Sequence, residues 1–440
     1  MLERSLPQVL APSFQHFSER VSPYLALHAH RIASLTVSLS SHTELIDLWS
    51  CLNAGMRSLE TLSISIIDGR SWALVPQNQD EDLHLSPTSL PRLARVSAPG
   101  SFLHRFVVPS LRHIDLKLAE PQHLDSPHPL ESDEHLRNAL AICAPNLESL
   151  ALRNVSPPGG YDSTTPLSLP ALRKLLIHDY PHQCAPMLSR LTLPDTAHIH
   201  VFIDSGASLC AAVPPSAPPI HAALAATDSV GILRVANTTT VHCSAGETQL
   251  LTISLTEPRA GGQGGGGGGV PPDDLLRFFG GAGKPGAPVG VIAIGDLDGR
   301  DVRAVDLRAF PSLLGIITGE SMGHHILKEL ARTDGPDNDD DEGMRTAICP
   351  ELDMLSLEFK FDFVRLLQEP GDSGEGADSL PAPAPAHGAA DDDDVEERRR
   401  SLCAELERVL SQRAKMGTRL SRLALGGSQE QELRTMVQVT

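Results

Sequence analysis

One short phrase recurs along the chain and constrains its fold more than any other feature. The phrase is clearest in CAPNLESLAL (143–152), where leucines stand two, five and seven residues after a proline. The same skeleton returns in PSLRHIDL from Pro109, PALRKLLI from Pro170, PMLSRLTL from Pro186 and PELDMLSL from Pro350. A phrase that repeats along a whole chain predicts stacked structural units rather than one compact globule.

Each part of the phrase has a structural consequence. Proline has no amide hydrogen and disfavours helix in the residue before it, so it ends a preceding helix. The last two apolar residues are two positions apart, so both point to one face of a short strand. Burying three such side chains contributes about 1.5–3 kcal/mol each, whereas ordering the backbone costs about 1–2 kcal/mol for every residue of the repeat. One copy therefore cannot fold alone, and the sequence predicts a solenoid of stacked copies.

Helical patterns and low-complexity segments separate the copies. Helices are predicted over 42–55, 132–143, 324–332 and 395–415, where apolar residues recur at helical spacing. The predicted fold class is an irregular α/β solenoid, with parallel strands on its concave face and helices and loops on its convex face. We predict an irregular N-terminal cap at 1–30, the first part of the solenoid at 31–255, a Gly-rich linker at 256–275, a continuation at 276–368 with an acidic loop at 333–346, a disordered acidic and Pro/Ala-rich insertion at 369–394, and a last helix–strand repeat with the C-terminal tail at 395–440.

Charge and cysteine usage limit the classes of partner. A net charge of −19 argues against nucleic-acid binding, which requires a basic face. The seven cysteines contain no CxxC pair, which indicates buried thiols in a reducing compartment. The chain start lacks the apolar core of a signal peptide, and no segment has the roughly 18 uninterrupted apolar residues of a membrane helix. We therefore expect a cytoplasmic or nuclear protein that contacts neither membrane nor nucleic acid.

One motif points to catalysis. The segment GESMG (319–323) matches GxSxG and lies between a predicted strand and a predicted helix, the context of an α/β-hydrolase nucleophile. Ser321 would need a later acid and then a later histidine to activate it. His324 and His325 follow too closely, and His387 lies in the low-complexity stretch PAPAPAHGAA. We read the motif as a tight turn whose glycines supply positive φ, and a serine hydrolase using Ser321 is the alternative.

Neither a cofactor nor a metal is expected. The acidic segments at 296–301 and 337–343 lack the glycine and glutamate that a calcium loop needs at its sixth and twelfth positions. The glycine run at 259–272 is not followed by the GK[ST] of a phosphate-binding loop. Three cysteines, Cys143, Cys184 and Cys349, stand just before the proline of a repeat, where small buried apolar groups are expected.

The phrase Leu-x-x-Leu-x-Leu, with helices between copies, resembles leucine-rich-repeat proteins. The closer resemblance is to the F-box and leucine-rich-repeat-like proteins of mushroom-forming fungi, and it covers most of residues 25–425. It is carried by LERSLPQVLAP (2–12) with HAHRIASLTVSL (28–39), by the repeat at 143–152, and by LERVLSQRAKMGTRLSRLAL (406–425).

The resemblance departs from the family in two respects. The asparagine that usually follows the last leucine of a repeat is absent from most copies, and no F-box is recognisable. LPQVLAPSFQHF (6–17) is similar to the first F-box helix, but Pro12 interrupts it. The resemblance implies substrate recognition for a cullin-type ubiquitin ligase, and contact with the ligase adaptor is expected only if an F-box lies upstream.

We therefore predict a non-catalytic scaffold that binds one or more protein partners, which the sequence does not identify. In each repeat strand, the residues beside and between the inward leucines should face outward on the concave side. The predicted partner-binding residues are His113, Asp115, Lys117, Arg153, Lys174, His178, Glu358 and Arg422.

Overall fold

Short strands, joined by helices and turns, make up the protein, and most neighbouring strands are parallel. The computed structural model describes residues 9–17, 20–67, 88–103, 107–117, 133–155, 166–204, 208–235, 238–256, 278–279, 289–296, 307–310, 312–331, 333–334, 346–347, 349–358, 392–418 and 420–426. Residue contacts divide the chain into a first unit, Met1–Ala225 with Gln249–Pro258, and a second unit, Ala226–Thr248 with Arg259–Thr440.

The described strands are β1 (Ser13–Phe14), β2 (Ser34–Leu39), β3 (Thr61–Ile66), β4 (Arg95–Pro99), β5 (His113–Lys117), β6 (Ser149–Arg153), β7 (Leu167–Ser168), β8 (Lys174–Asp179), β9 (Leu191–Thr192), β10 (His198–Asp204), β11 (Ser229–Val235), β12 (Thr238–Ala245), β13 (Thr248–Thr256), β14 (Val291–Asp296), β15 (Gly315–Gly319), β16 (Thr333–Asp334), β17 (Thr346–Ala347), β18 (Met354–Glu358) and β19 (Arg422–Gly426). The described α-helices are α1 (Ser22–His28), α2 (His42–Asn53), α3 (Asp133–Cys143), α4 (Pro181–Arg190), α5 (Leu209–Ala212), α6 (Pro218–Ala226), α7 (Glu320–Ala331) and α8 (Asp392–Lys415).

The first unit contains one parallel sheet whose strands follow almost the order of the chain. Its order is β1-β2-β3-β4-β5-β6-β8-β10-β13. Side chains at matching positions of successive strands form two buried ladders, because parallel pairing without slippage keeps equivalent residues on one face. The ladders are Leu35, Leu62, Val96, Ile114, Leu150, Leu175, Ile199 and Leu251, and Ala98, Leu116, Leu152, Ile177, Val201 and Ile253.

A tight turn holds the proline of the phrase. Leu111 N donates to Val108 O at 3.1 Å, and Leu172 N donates to Leu169 O at 3.2 Å. Proline suits the second position of such a turn because its φ is already fixed near the required value. Both accepting residues are buried, as are both leucines, so the turn closes over the same core as the ladders. In CAPNLESLAL the turn is shifted by one residue: its bond runs from Asn146 N to Cys143 O at 2.9 Å, so Pro145 is the third residue of the turn.

Strands β3, β4, β5, β6 and β8 then begin in the same way: one carbonyl at the start of the preceding strand accepts two successive amides at the start of the next. Ala33 O accepts from Glu60 N at 2.7 Å and from Thr61 N at 3.0 Å. Glu60 O in turn accepts from Ala94 N and Arg95 N, both at 2.9 Å. We call such a group a strand-start carbonyl. The arrangement recurs at Ala94, Arg112 and Glu148.

Helix α2 shows how local sequence sets the ends of an element. At its start Ser41 Oγ accepts from Glu44 N at 3.3 Å, while Glu44 Oε2 accepts from Ser40 N at 2.6 Å, an arrangement close to a capping box. Gly55 follows its last turn at φ +97°, a conformation that favours glycine. The stripe expected from the sequence is buried and consists of Leu45, Leu48, Trp49 and Leu52.

The second unit combines a hairpin with parallel strands. Its order is β12-β11-β14-β15-β18-β19, in which β11 and β12 are antiparallel and the other neighbours are parallel. Val230, Ile292, Ile316 and Leu355 form a buried ladder across it.

Helices α7 and α8 pack closely in this unit. A Cβ added to Gly323 would lie 3.1 Å from Leu402 Cδ1, so a side chain there would crowd α8. Gln412 Nε2 donates to Ala331 O at 2.9 Å. Arg413 is only 1% exposed and donates from Nη2 to Cys349 O at 3.0 Å, and burial lowers its pKa. The last helix is thus tied to α7 and to the turn before β18.

Three sequence predictions are wrong in detail. PMLSRLTL does not form a turn and strand, because Pro186 lies inside α4 and only Leu191–Thr192 is extended. The strands are not all parallel, since β11 and β12 form a hairpin. Gly319 and Gly323 are not among the described glycines with positive φ; Gly323 instead allows the close approach of α8.

The predicted insertions are only partly described. The acidic loop at 333–346 begins and ends in the antiparallel pair β16 and β17, and its residues 335–345 lie outside the described residues. The Gly-rich linker lies outside them from residue 257 onward. Of the insertion at 369–394, residues 392–394 already belong to α8, and the rest is outside the described part.

The buried ladders predict a large difference between the two faces of one strand. Leu150→Ala should lower the free energy of unfolding by about 2–5 kcal/mol, because it leaves a void between Ile114 and Leu175. The neighbouring change Ser149→Ala, on the opposite face, should alter it by less than about 0.5 kcal/mol. Urea unfolding followed by circular dichroism measures both, and equal effects would contradict the ladder.

Candidate partner-binding face

The outward side chains of β4, β5, β6, β8 and β10 form a continuous polar surface on the first unit. Parallel register aligns Arg95, His113, Ser149, Lys174 and His198 in one row across these strands. A second row contains Ser97, Asp115, Ala151, Leu176 and His200, and a third contains Pro99, Lys117, Arg153, His178 and Phe202. We call the following residues the polar face: Arg95, His113, Asp115, Lys117, Arg153, Lys174, His178, His198, His200 and Phe202.

Asp115 is the anionic centre of this surface. Lys117 Nζ lies 3.4 Å from Asp115 Oδ2, and Arg153 Nε lies 3.5 Å from Asp115 Oδ1. Both cationic side chains remain about half exposed, at 51% for Lys117 and 43% for Arg153. Exposed pairs of this kind contribute little to stability, typically about 0.2–1 kcal/mol. These ion pairs therefore contribute little to the stability of the fold, and they leave both cations accessible to a partner.

Imidazole and phenyl rings occupy the β8–β10 part of the face. The ring centroids of His200 and Phe202 are 4.0 Å apart, and those of His178 and Phe202 are 5.6 Å apart. His198 Nε2 lies 3.0 Å from Thr252 Oγ1, and His200 Nε2 lies 3.3 Å from Ser254 Oγ. These contacts hold the rings against one another and against the neighbouring strand β13.

The charged part of the sheet has a clear boundary. The outward positions of β2 and β3 carry only serine and threonine, and Ser38 Oγ and Ser65 Oγ lie 2.8 Å apart. The outward positions of β13 likewise include Thr252 and Ser254. Charge is thus concentrated on the strands from β4 to β8 rather than distributed evenly over the sheet.

His113 has an altered ionisation within this surface. Partial burial lowers its pKa, the positive charge of Arg95 lowers it further, and the carboxylate of Glu148 opposes the shift. The positive charge of Arg112 also lowers the pKa of His113. Arg112 Nη1 lies 3.5 Å from Glu148 Oε1, so these two opposing charges are neighbours. The face thus holds a histidine whose charge depends on the cations around it.

The structure brings six of the eight predicted residues together on the polar face. Glu358 and Arg422 belong to β18 and β19 in the second unit, and their side chains lie outside the described residues. The sequence reasoning missed Arg95, which begins β4, and the alternating residues His198, His200 and Phe202. The alternation in HIHVFID (198–204), with Ile199, Val201 and Ile203 buried, was the signal that could have identified them.

The GxSxG segment does lie between a strand and a helix, since β15 ends at Gly319 and α7 begins at Glu320. The side chain of Ser321 lies outside the described residues, as does His387. His324 and His325 both belong to α7, the helix that contains Ser321. The described residues therefore include the strand and the helix that flank the motif, but not an acid and a histidine placed to activate Ser321.

One cleft among the described residues is small. A cleft of about 180 Å³ in the first unit is lined by residues that include Pro194, Asp195 and Pro219. This is below the roughly 300–1,000 Å³ of typical ligand pockets. Among the described residues, no group of three or more His, Cys, Asp or Glu side chains is placed to hold a metal ion.

The cysteines at the repeat boundaries are buried, as predicted. Burial raises the pKa of Cys143 to about 11 and that of Cys184 to about 12. Cys349 is also buried, and its Sγ lies 3.6 Å from Leu307 O. Thiols with such high pKa values hold little thiolate near neutral pH, so Cys143 and Cys184 are poor nucleophiles.

Comparison with known proteins does not assign the chain to a family. It matches no protein-family model, and no curated protein is significantly similar to it. In the part of the chain that the structure describes, no helix is both long and apolar enough to cross a membrane.

The surroundings of His113 predict two opposite pKa changes. Arg95→Gln should raise the pKa of His113, because it removes a nearby positive charge that disfavours the imidazolium. Glu148→Gln should lower that pKa, because it removes the carboxylate that favours the charged ring. NMR titration of the imidazole resonances measures both shifts. Arg57→Gln, in an exposed turn, is the control, and shifts of the reverse sign would refute this account of the face.

Proposed function

We propose that the protein is a non-catalytic scaffold of the leucine-rich-repeat solenoid type, which binds a partner protein through the polar face. The recurrent turn, the strand-start carbonyls and the ladder of equivalent side chains support the finer fold assignment. Each is a feature that stacked repeats share, since every copy makes the same contacts with its neighbours. In this fold the polar face corresponds to the concave side that the sequence predicts.

The observation that carries the proposal is the polar face itself. It presents half-exposed cations, a carboxylate and aromatic rings on adjacent strands of a sheet whose other face is buried. Polar and aromatic side chains held on a rigid sheet are suited to recognising an extended surface. The small cleft in the first unit, by contrast, offers little room for a substrate.

The resemblance to F-box and leucine-rich-repeat-like proteins extends the proposal to one biological role. In that role the chain is the substrate-recognition part of a cullin-type ubiquitin ligase receptor, and the partner on the polar face is the protein to be ubiquitinated. Contact with the ligase adaptor would require an F-box upstream of the repeats. This extension rests on the resemblance and on the polar face together.

Charge reversal on the polar face should abolish partner capture. Tagged protein carrying Arg153→Glu and Lys174→Glu should lose specific partners that the unmodified protein retains, because both cations are replaced by repelling carboxylates. The matched control carries Arg57→Glu and Arg92→Glu, an equal change in net charge at exposed turn positions off the face. Quantitative mass spectrometry of proteins captured from cells compares the three.

Identical partner sets for all three proteins would refute binding through the polar face. The same captures decide the ligase extension. A partner destined for degradation should carry ubiquitin and should accumulate on the bait when the proteasome is inhibited. A partner without ubiquitin, at constant abundance, would leave the scaffold proposal standing and overturn the ligase role.

The proposal that the protein is non-catalytic has its own test. A fluorophosphonate probe, which reacts with activated serines, should label the protein no more than it labels the Ser321→Ala variant. The physical reason is that an unactivated serine hydroxyl is a weak nucleophile. Labelling that disappears in Ser321→Ala would instead establish the serine hydrolase.

A further inference from the structure

The polar face carries a charge opposite to that of the chain as a whole. Among its described side chains four are cationic, and Asp115 alone is a carboxylate. The whole chain carries a net charge of −19, so this basic surface is a local feature rather than a consequence of composition. The four cations are Arg95, Lys117, Arg153 and Lys174.

The spacing of these cations suits an extended peptide. They belong to β4, β5, β6 and β8, which are successive neighbours in the sheet. Neighbouring strands lie about 4.8 Å apart, so the four positions span roughly 14 Å across the sheet. They occupy two rows, with Arg95 and Lys174 in the first and Lys117 and Arg153 in the third, each about 7 Å along the strands from the second row, which contains Asp115. A peptide in extended conformation rises about 3.3 Å per residue, and roughly four or five residues cover that span. A short run of acidic residues that crosses the strands along the second row can therefore lie between cations on both sides, and Lys117 and Arg153 already reach that row at Asp115.

Asp115 shows how the face already holds one carboxylate. It lies between Lys117 and Arg153 at ion-pair distances of 3.4 and 3.5 Å. Within the described part of the chain, Asp115 Oδ1 and Arg153 Nε are shielded from solvent, and neither makes a hydrogen bond. The Arg153 side chain as a whole is nevertheless 43% exposed, so a second carboxylate can approach it, while Asp115 offsets part of the charge that would attract it.

We propose that the polar face binds an extended segment of a partner protein that is rich in Asp and Glu, and that Asp115 acts as a built-in competitor for the same cations. This inference rests on the proposed function and names the chemistry of its partner. A nucleic acid is the weaker match, because a long polyanion also meets the remaining negative charge of the chain, whereas a short acidic segment contacts only the face.

The inference is tested with a defined probe on the full chain. A fluorescein-labelled peptide of alternating Asp and Glu should bind saturably in fluorescence anisotropy, and the isosteric Asn/Gln peptide should not. Raising the ionic strength from about 0.05 M to about 0.3 M should weaken binding, because the contacts are solvent-exposed charges. Arg153→Ala and Lys174→Ala should each weaken it roughly twofold to fivefold, the range that exposed ion pairs support.

Asp115→Asn gives the sharper test, because it predicts a gain. Removal of the competing carboxylate should tighten binding of the acidic peptide roughly twofold to fivefold. A merely structural role for Asp115 would predict weaker binding or none. Arg92→Ala is the matched control, and thermal unfolding with circular dichroism verifies that each variant is folded.

Each other outcome overturns the inference in a distinguishable way. Equal binding of the acidic and the Asn/Gln peptides removes the charge argument. Equal or tighter binding of a single-stranded oligonucleotide of similar charge identifies a general polyanion surface, and selective binding of a phosphoserine peptide assigns the face to phosphate. Failure of the acidic peptide, while Arg153→Glu with Lys174→Glu still abolishes capture from cells, overturns the acidic partner and retains the proposed function.

Discussion

The strand-start carbonyl is the interaction on which the rest of the structure depends. Because Glu60 O holds the amides of both Ala94 and Arg95, β4 can begin in only one register relative to β3. A slip of one residue would turn Val96 outward and bring Arg95 into the core, since successive side chains of a strand point to opposite faces. The burial of the ladders and the composition of the polar face are therefore two results of one repeated hydrogen-bond arrangement.

Much of the first unit could be predicted from the phrase alone. Leu147, Leu150 and Leu152 are buried as their spacing requires, and α2 and α3 lie within a few residues of the predicted ranges. The prediction of a turn and strand for PMLSRLTL (186–193) is wrong because the apolar residues of this segment also fit a helix. Together with Cys184 they recur three and four apart, and packing of Met187 and Leu188 outweighs the cost of Pro186 inside α4.

Other features depend on partners that are distant in sequence. After β12 the chain turns at Gly246, at φ +58°, whose amide donates to Asp228 Oδ2 at 2.8 Å, and no strand pattern encodes such a contact. The polar face was largely predictable, because alternation assigns each residue to one side. The ion pair between Arg153 and Asp115 could not be predicted, because it depends on which strands become neighbours and in which register they pair.

The attachment of α8 has a consequence for how such a chain can change in length. Helix α8 is positioned by three contacts: Gln412 with Ala331, Arg413 with Cys349, and Leu402 with Gly323. None of these three contacts involves residues 359–391, which join β18 to α8. A change in the number of residues between β18 and α8 would leave these contacts, and the register of β19 with β18, in place, which makes this junction a natural place for new sequence to be acquired.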